Sequence, residues 1–148
     1  LAYLHANNIL HRDIKPDNVL VFSLDETLTV NGKLTDFGSS RNINMLMTNM
    51  TFTKGVGTPV YMAPEVINKE KYKKGADVYS FGMTMYECFK WGQAYPKGLF
   101  KFPWDIVTFV NSGERLAKPS EMGSDVYDLI SKCWAQSIYE RPGRPLFD

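Results

Sequence analysis

The stretch His11-Arg12-Asp13-Ile14-Lys15-Pro16-Asp17-Asn18 decides how this chain is read. Charged and apolar residues alternate in it without a period, so residues 9–18 read as a loop. Working outward, residues 1–5 look like the tail of a helix. Asn7-Asn8 closes it, because asparagine tolerates the left-handed conformation of a helix stop. Residues 19–22 form a short β-type run. Residues 28–30 and 33–35 flank Asn31-Gly32, a hairpin-turn signal. From Asp36-Phe37-Gly38 to about residue 57 the chain lacks periodicity and is rich in Thr, Asn and Met. Loops of that length are usually functional or disordered.

Beyond it the pattern turns helical. Val78, Phe81, Met85 and Phe89 recur at the spacing of one helix face. Trp104 and Val107, with the cluster Ile106, Phe109 and Val110, give a second helix after Pro103, and Gly113 is placed to stop it. Val126, Leu129, Ile130, Cys133 and Trp134 give a third, with Ser124 or Asp125 as its cap. The apolar faces of these helices read as core.

The chain has 148 residues, of which 44% are hydrophobic, enough for one domain with a core. A net charge of +1 excludes a strongly basic nucleic-acid module and an acidic disordered tail. No apolar run approaches the roughly 18–20 residues that cross a bilayer, and no signal or transit peptide is evident. Cys88 and Cys133 stand far apart among apolar neighbours, without metal-ligand spacing. They read as reduced, buried thiols of a cytosolic protein.

The opening stretch fits H-R-D-x-x-x-x-N, the pattern of a protein-kinase catalytic loop. Asp36-Phe37-Gly38 and Ala63-Pro64-Glu65 follow in order, and then Asp77-Val78-Tyr79-Ser80-Phe81-Gly82. The chain therefore resembles the C-terminal lobe of a eukaryotic protein kinase over nearly all of its length. The resemblance implies a protein-kinase-like α+β fold, of which residues 1–148 would be the mainly helical lobe with a few short strands. That portion runs from the end of helix E to the start of helix I.

The same resemblance assigns roles. Asp13 matches the base that accepts the substrate hydroxyl's proton, and Lys15 the cation that reaches the γ-phosphate of ATP. Asn18 and Asp36 match the Mg²⁺ ligands, an amide oxygen and a carboxylate that suit a hard cation. Two short strands, 19–22 and 33–35, would hold Asn18 and Asp36 side by side. Arg12 matches the arginine that binds a phosphorylated activation-loop residue. His11 and Phe37 match two members of the regulatory spine. Thr58 matches the threonine that touches the catalytic Asp and Lys. Glu65 is expected to pair with Arg141, which spacing favours over Arg144. Asp77 is expected to bond the catalytic-loop backbone, although it also reads as a helix cap.

Lys15 and Gly57-Thr58 point to Ser/Thr substrates. The Asp77 segment and Cys133-Trp134 before Arg141-Pro142 resemble tyrosine kinases. The mixture matches the tyrosine-kinase-like group, with dual or tyrosine specificity as the alternative. Thr48, Thr51 and Thr53 are candidate activating phosphorylation sites, since a phosphate there could dock on Arg12. The separation from Asn18 to Asp36 is longer than usual, and the excess, residues 24–30, is expected to point to solvent.

The glycine-rich loop, the V-A-I-K lysine and the helix C glutamate of the family do not occur in these residues. The chain thus reads as a piece of a longer kinase whose missing N-terminal lobe would complete the ATP site. The parent is expected to phosphorylate protein substrates, in the cytoplasm or as the cytosolic part of a membrane-anchored kinase. The isolated piece is expected to be inactive and to leave the Val78/Phe81/Met85/Phe89 stripe open where helix E would pack. The alternative is a pseudokinase or kinase remnant that acts as a binding module.

Overall fold

The computed structural model describes residues 1–43 and 59–143. The elements run α1 (Ala2–Ala6), β1 (Ile9–Leu10), β2 (Val19–Val21), β3 (Gly32–Leu34), β4 (Arg41–Asn42), α2 (Pro64–Ile67), α3 (Lys74–Lys90), α4 (Pro103–Asn111) and α5 (Ser124–Cys133). Single 3₁₀ turns occupy Pro16–Asn18, Phe37–Ser39 and Pro59–Tyr61. Asn8 takes the left-handed conformation expected after α1, with φ 58°. No helix among the described residues is long and apolar enough to cross a membrane.

The strands make two antiparallel pairs. β1 lies against β4, with Ile9 opposite Asn42 and Leu10 opposite Arg41. β2 lies against β3, with Val19 opposite Leu34, Leu20 opposite Lys33 and Val21 opposite Gly32. The second pairing overturns the Asn31-Gly32 turn. Gly32 is a strand residue, and residues 28–30 belong to no strand. Asn31 is instead a closing rung, its carbonyl accepting from the Phe22 N–H at 2.7 Å and its side-chain amide donating to the Asp25 carbonyl at 2.8 Å. The connection folds on itself through Asp25 Oδ1, which accepts from both the N–H and the hydroxyl of Thr27. Leu24, Leu28 and Val30 are exposed, so the excess residues do reach solvent.

α3 is the central beam. Its buried side presents Ala76, Tyr79, Met83 and Tyr86, a spacing of three to four residues that keeps one face inward. Against it pack Leu10, Val66, Ile130, Val110 and Trp134. α5 comes so near that a Cβ built on Gly82 would stand 2.7 Å from the Cys133 Cβ. The stripe read from the sequence as core is the other side of the helix. Val78 is buried, but Phe81 and Met85 are only half-buried and Phe89 is 54% exposed. That openness matches the expectation for a face helix E would cover; the pattern did not mark the tyrosine-bearing side, because the hydroxyl makes tyrosine look peripheral. In the structure the Tyr86 hydroxyl donates to the Ala117 carbonyl at 2.9 Å, which lets the ring be buried.

Three smaller expectations change. Cys133 is buried, and burial pushes its thiol up to about 11, but Cys88 is exposed on the far side of α3. Trp104 lies outside the core, stacked on Phe102. Neither Ser124 nor Asp125 caps α5, since Gly123 holds the cap position without a side-chain bond. Gly113 does end α4, at φ 88°, a backbone conformation that costs glycine little.

Candidate active site

The site grows from the loop after β1. His11 is fully buried and Arg12 adopts φ 72°, a conformation unfavourable for an arginine. Asp77, completely buried in the first turns of α3, holds the loop in place. Its Oδ2 accepts from the His11 N–H and its Oδ1 from the Arg12 N–H, both at 2.9 Å. The carboxylate also receives the Tyr72 hydroxyl at 2.8 Å and faces His5 Nε2 at 2.9 Å. Asp77 is therefore inside the helix rather than its cap. Burial, then Asp77, pushes the Tyr72 hydroxyl far above its ordinary pKa, so it stays a donor.

Two residues on, Asp13 gathers the charged cluster. Asp13 Oδ2 accepts from Lys15 Nζ at 3.0 Å and from Asn18 Nδ2 at 2.9 Å. Asn18 Nδ2 also donates to the Asp13 carbonyl at 2.7 Å. Both amide hydrogens are thus committed to Asp13, which leaves Asn18 Oδ1 as the free-facing acceptor of that side chain. Asp13 and Lys15 keep partial exposure, with side chains 24% and 30% accessible.

The β2–β3 ladder joins the two halves of the site. The Thr35 N–H donates to the Asn18 carbonyl at 2.9 Å, so Asp36 follows directly after the residue opposite Asn18. Asp36 is exposed, left-handed at φ 59°, and its Oδ1 accepts from the Gly38 N–H at 3.2 Å. Phe37 sets its ring edge-on to His11 with centroids 5.1 Å apart. His11 Nε2 lies 3.0 Å from the Thr35 carbonyl, and the Asp13 N–H points at its Nδ1 at 3.4 Å. The tautomer carrying hydrogen on Nε2 satisfies both contacts. His11 therefore ties the Asp13 loop to the Asp36 turn.

Asn18 Oδ1 and the Asp36 carboxylate are oxygen donors of the type a magnesium ion takes. Among the described residues there is no cluster of three or more His, Cys, Asp or Glu. Two oxygen donors suit an ion whose remaining positions are taken by other hard oxygens, such as those of phosphate or water.

Glu65 and Arg141 meet as a fork, with Oε1 and Oε2 accepting from Nη1 and Nη2 at 2.7 and 2.8 Å. Arg141 also donates to the carbonyls of Ala135 and Gly75, and its guanidinium lies over the Tyr79 ring. The pair ties the segment entering α2 to the chain after α5. Among the described residues Arg12 Nε has no hydrogen-bond partner, and the guanidinium sits over the Tyr72 ring at 5.7 Å. Thr48, Thr51, Thr53, Thr58 and Arg144 lie outside the described residues.

Sequence reasoning missed His5 and Tyr72 as partners of Asp77. No motif letter marks either, and only the packing of α1 and the turn before α3 brings them there. It also missed Tyr61, whose hydroxyl donates to Glu87 Oε2 at 2.6 Å. Burial and that carboxylate push the Tyr61 hydroxyl strongly up.

The family described as "Protein tyrosine and serine/threonine kinase" matches residues 1–144. The probable serine/threonine-protein kinase gdt2 of Dictyostelium discoideum is 37% identical over 144 residues, covering 95% of this chain and 8% of that protein. RGS domain-containing serine/threonine-protein kinase A of the same organism is 34% identical over 142 residues, covering 96% of this chain and 12% of that protein. Tyrosine-protein kinase SYK of Gallus gallus is 33% identical over 144 residues, covering 97% of this chain and 22% of its own length. The chain belongs to the protein kinase domain family, with relatives of both serine/threonine and tyrosine type, and spans only a small part of each.

Proposed function

We propose that this chain forms the C-terminal-lobe portion of a protein kinase that transfers the γ-phosphate of ATP to Ser or Thr hydroxyls of protein substrates. The observation that carries the reading is the cluster in which Asp13 Oδ2 receives both Lys15 Nζ and Asn18 Nδ2. It holds a carboxylate, a cation and a metal-binding amide in one hydrogen-bonded unit.

Asp13 takes the proton of the attacking hydroxyl as its oxygen bonds to the γ-phosphorus. The bond from that phosphorus to the bridging oxygen breaks, and ADP leaves. Lys15, 3.0 Å from Asp13, would offset charge on the transferring group. Asn18 Oδ1 and Asp36 would hold Mg²⁺, which supplies charge neutralisation on the phosphate oxygens when bound. His11 and Phe37 keep the two acidic centres in register. Asp77 and the Glu65–Arg141 pair support the loop and the segment before α2. Arg12, whose Nε is unsatisfied among the described residues, is suited to a phosphate on Thr48, Thr51 or Thr53. Thr58 would approach Asp13 and Lys15. The remaining lobe of the kinase domain would roof the nucleotide. Two unpaired cysteines suit a reducing compartment, the cytoplasm.

The test is phosphotransfer by the complete protein. Asp13→Asn is expected to lower kcat by about 10²–10⁴-fold, the usual worth of a positioned acid–base group, while nucleotide affinity persists. A loss under about threefold removes Asp13 from the reaction. Phosphoamino-acid analysis of the product decides the acceptor, and phosphotyrosine as the main product would replace the Ser/Thr assignment.

A further inference from the structure

The connection from α3 to α4 is firmly built from below. Ala94 and Tyr95 are buried, and the Tyr95 ring meets Phe100 at 4.8 Å, with Phe109 closing on Phe100 at 5.2 Å. The Ala94 N–H donates to Glu87 Oε1 at 2.7 Å, and the N–H groups of Leu99 and Phe100 both donate to the Pro96 carbonyl at 3.0 Å. The Phe102 N–H donates to Asp105 Oδ2 at 2.8 Å, fixing the entry to α4.

This anchored segment turns apolar side chains outward. Leu99 is 78% exposed, and Phe102 and Trp104 stack at 4.3 Å with their planes 11° apart while remaining 49% and 60% exposed. Ordering side chains in water costs entropy and gains the core nothing. Lys97 and Lys101, which flank Gly98–Phe100 in the sequence, are exposed as well. Between Glu87 and Asp105 the sequence holds three lysines and no acidic residue. Asp105 is spent on its cap, and among the described residues no salt bridge engages Lys97 or Lys101.

We propose that Leu99, Phe102 and Trp104, with Lys97 and Lys101, form a docking surface for an acidic segment of a partner protein. That segment carries an aromatic or large aliphatic side chain to seat on the Phe102–Trp104 stack. Tryptophan is a preferred anchor of protein interfaces, and the lysines would select negative charge and speed encounter. Two free lysines fall short of the roughly four to eight basic residues that attract an anionic bilayer, which favours a protein segment over a membrane.

The test is selection of displayed random peptides on the complete protein, followed by affinity measurements on Lys97→Glu/Lys101→Glu and Phe102→Ala/Trp104→Ala. The selected peptides are expected to be acidic with at least one large apolar residue. Their Kd is expected to rise at least about tenfold on either variant, and wild-type affinity to weaken as salt screens the lysines. Circular dichroism and phosphotransfer are expected to stay unchanged, since none of the four residues lies in the site. The proposal is overturned if the peptides are neutral or basic, or indifferent to both variants. It is equally overturned if phosphatidylserine vesicles bind with the same sensitivity and peptides do not. A concentration-dependent rise in mass that Phe102→Ala/Trp104→Ala abolishes would instead make the face a contact between two copies.

Discussion

Replacing Asp77 with asparagine tests how the loop carrying His11, Arg12 and Asp13 is held. The side chain is fully buried, and its two oxygens serve four donors: Oδ1 takes the Arg12 N–H and the Tyr72 hydroxyl, and Oδ2 takes the His11 N–H and faces His5 Nε2. Asparagine fits the same volume but offers one acceptor oxygen. Whichever way the amide turns, its NH₂ faces a backbone N–H of the loop. A buried donor left without an acceptor costs about 1–3 kcal/mol, and the surviving bonds lose the charge that made them worth about 1.5–3 kcal/mol each. Together these amount to about 3–5 kcal/mol, the usual cost of breaking a buried charged network. A domain stable by about 5–15 kcal/mol survives this, so the strain is expected to appear first as movement of residues 11–13. Arg12 is already left-handed and gains nothing from staying so once its N–H is unpaired. A displacement of the order of 1 Å at Asp13 lowers kcat by about 10²-fold. The assays are steady-state phosphotransfer and amide hydrogen exchange on the complete protein. Exchange is expected to quicken at residues 9–13 while α5 stays protected, and kcat to fall with little change in the KM for ATP. Wild-type kcat with wild-type protection at residues 11 and 12 would refute the anchoring argument.

Three further outcomes follow from packing and charge. Glu65→Gln keeps shape but strips the charge facing the buried Arg141 fork, and is expected to cost about 3 kcal/mol, read from faster exchange at residues 63–67 and after residue 135. Gly82→Ala puts a methyl 2.7 Å from the Cys133 Cβ and is expected to cost about 1–3 kcal/mol by prising α5 from α3, measured as a lowered urea midpoint. Iodoacetamide near neutral pH is expected to alkylate Cys88, whereas Cys133, buried with its thiol pushed up to about 11, stays protonated and protected until the fold opens. Mass spectrometry of the two peptides checks the order of labelling.

The parts of this fold that sequence made legible are those where chemistry leaves little choice. The proposed proton acceptor, phosphate cation and two oxygen ligands allow few residue types, and Asp13, Lys15, Asn18 and Asp36, assigned those roles by the resemblance, stand at a spacing a loop and a strand pair can realise. The Glu65–Arg141 fork was legible only through the family resemblance, and the structure brings the two together with both guanidinium nitrogens on the carboxylate. Asn31-Gly32 misled because its turn chemistry is real but the Asp25–Thr27 bonds fold the connection earlier, leaving Asn31 to close the ladder. His5 and Tyr72 were invisible because donating to a buried carboxylate needs only one polar hydrogen, which many side chains possess.

α3 shows why the side of a helix that buries most deeply need not be the one hydropathy marks. Periodicity marks two stripes on it. The stripe of plain hydrocarbon, Phe81, Met85 and Phe89, stands partly in solvent among the described residues. The stripe that is buried contains Tyr79, Tyr86, Ser80, Thr84 and Asp77, residues that hydropathy counts as peripheral. Apart from the Tyr79 hydroxyl, which has no hydrogen-bond partner among the described residues, their polar atoms have bonding work inside the domain. Ser80 donates to the Tyr61 carbonyl at 2.8 Å, Tyr86 to the Ala117 carbonyl, and Asp77 holds the loop that presents Asp13. A helix whose polar side chains reach three different segments is a scaffold for the site, and it must be buried on the side that carries them. The hydrocarbon stripe has no such contacts to make, so its burial is decided only by what packs beside it. The polar stripe is thus the one that carries the candidate site, and the apolar stripe has no polar bond that ties it to a neighbour.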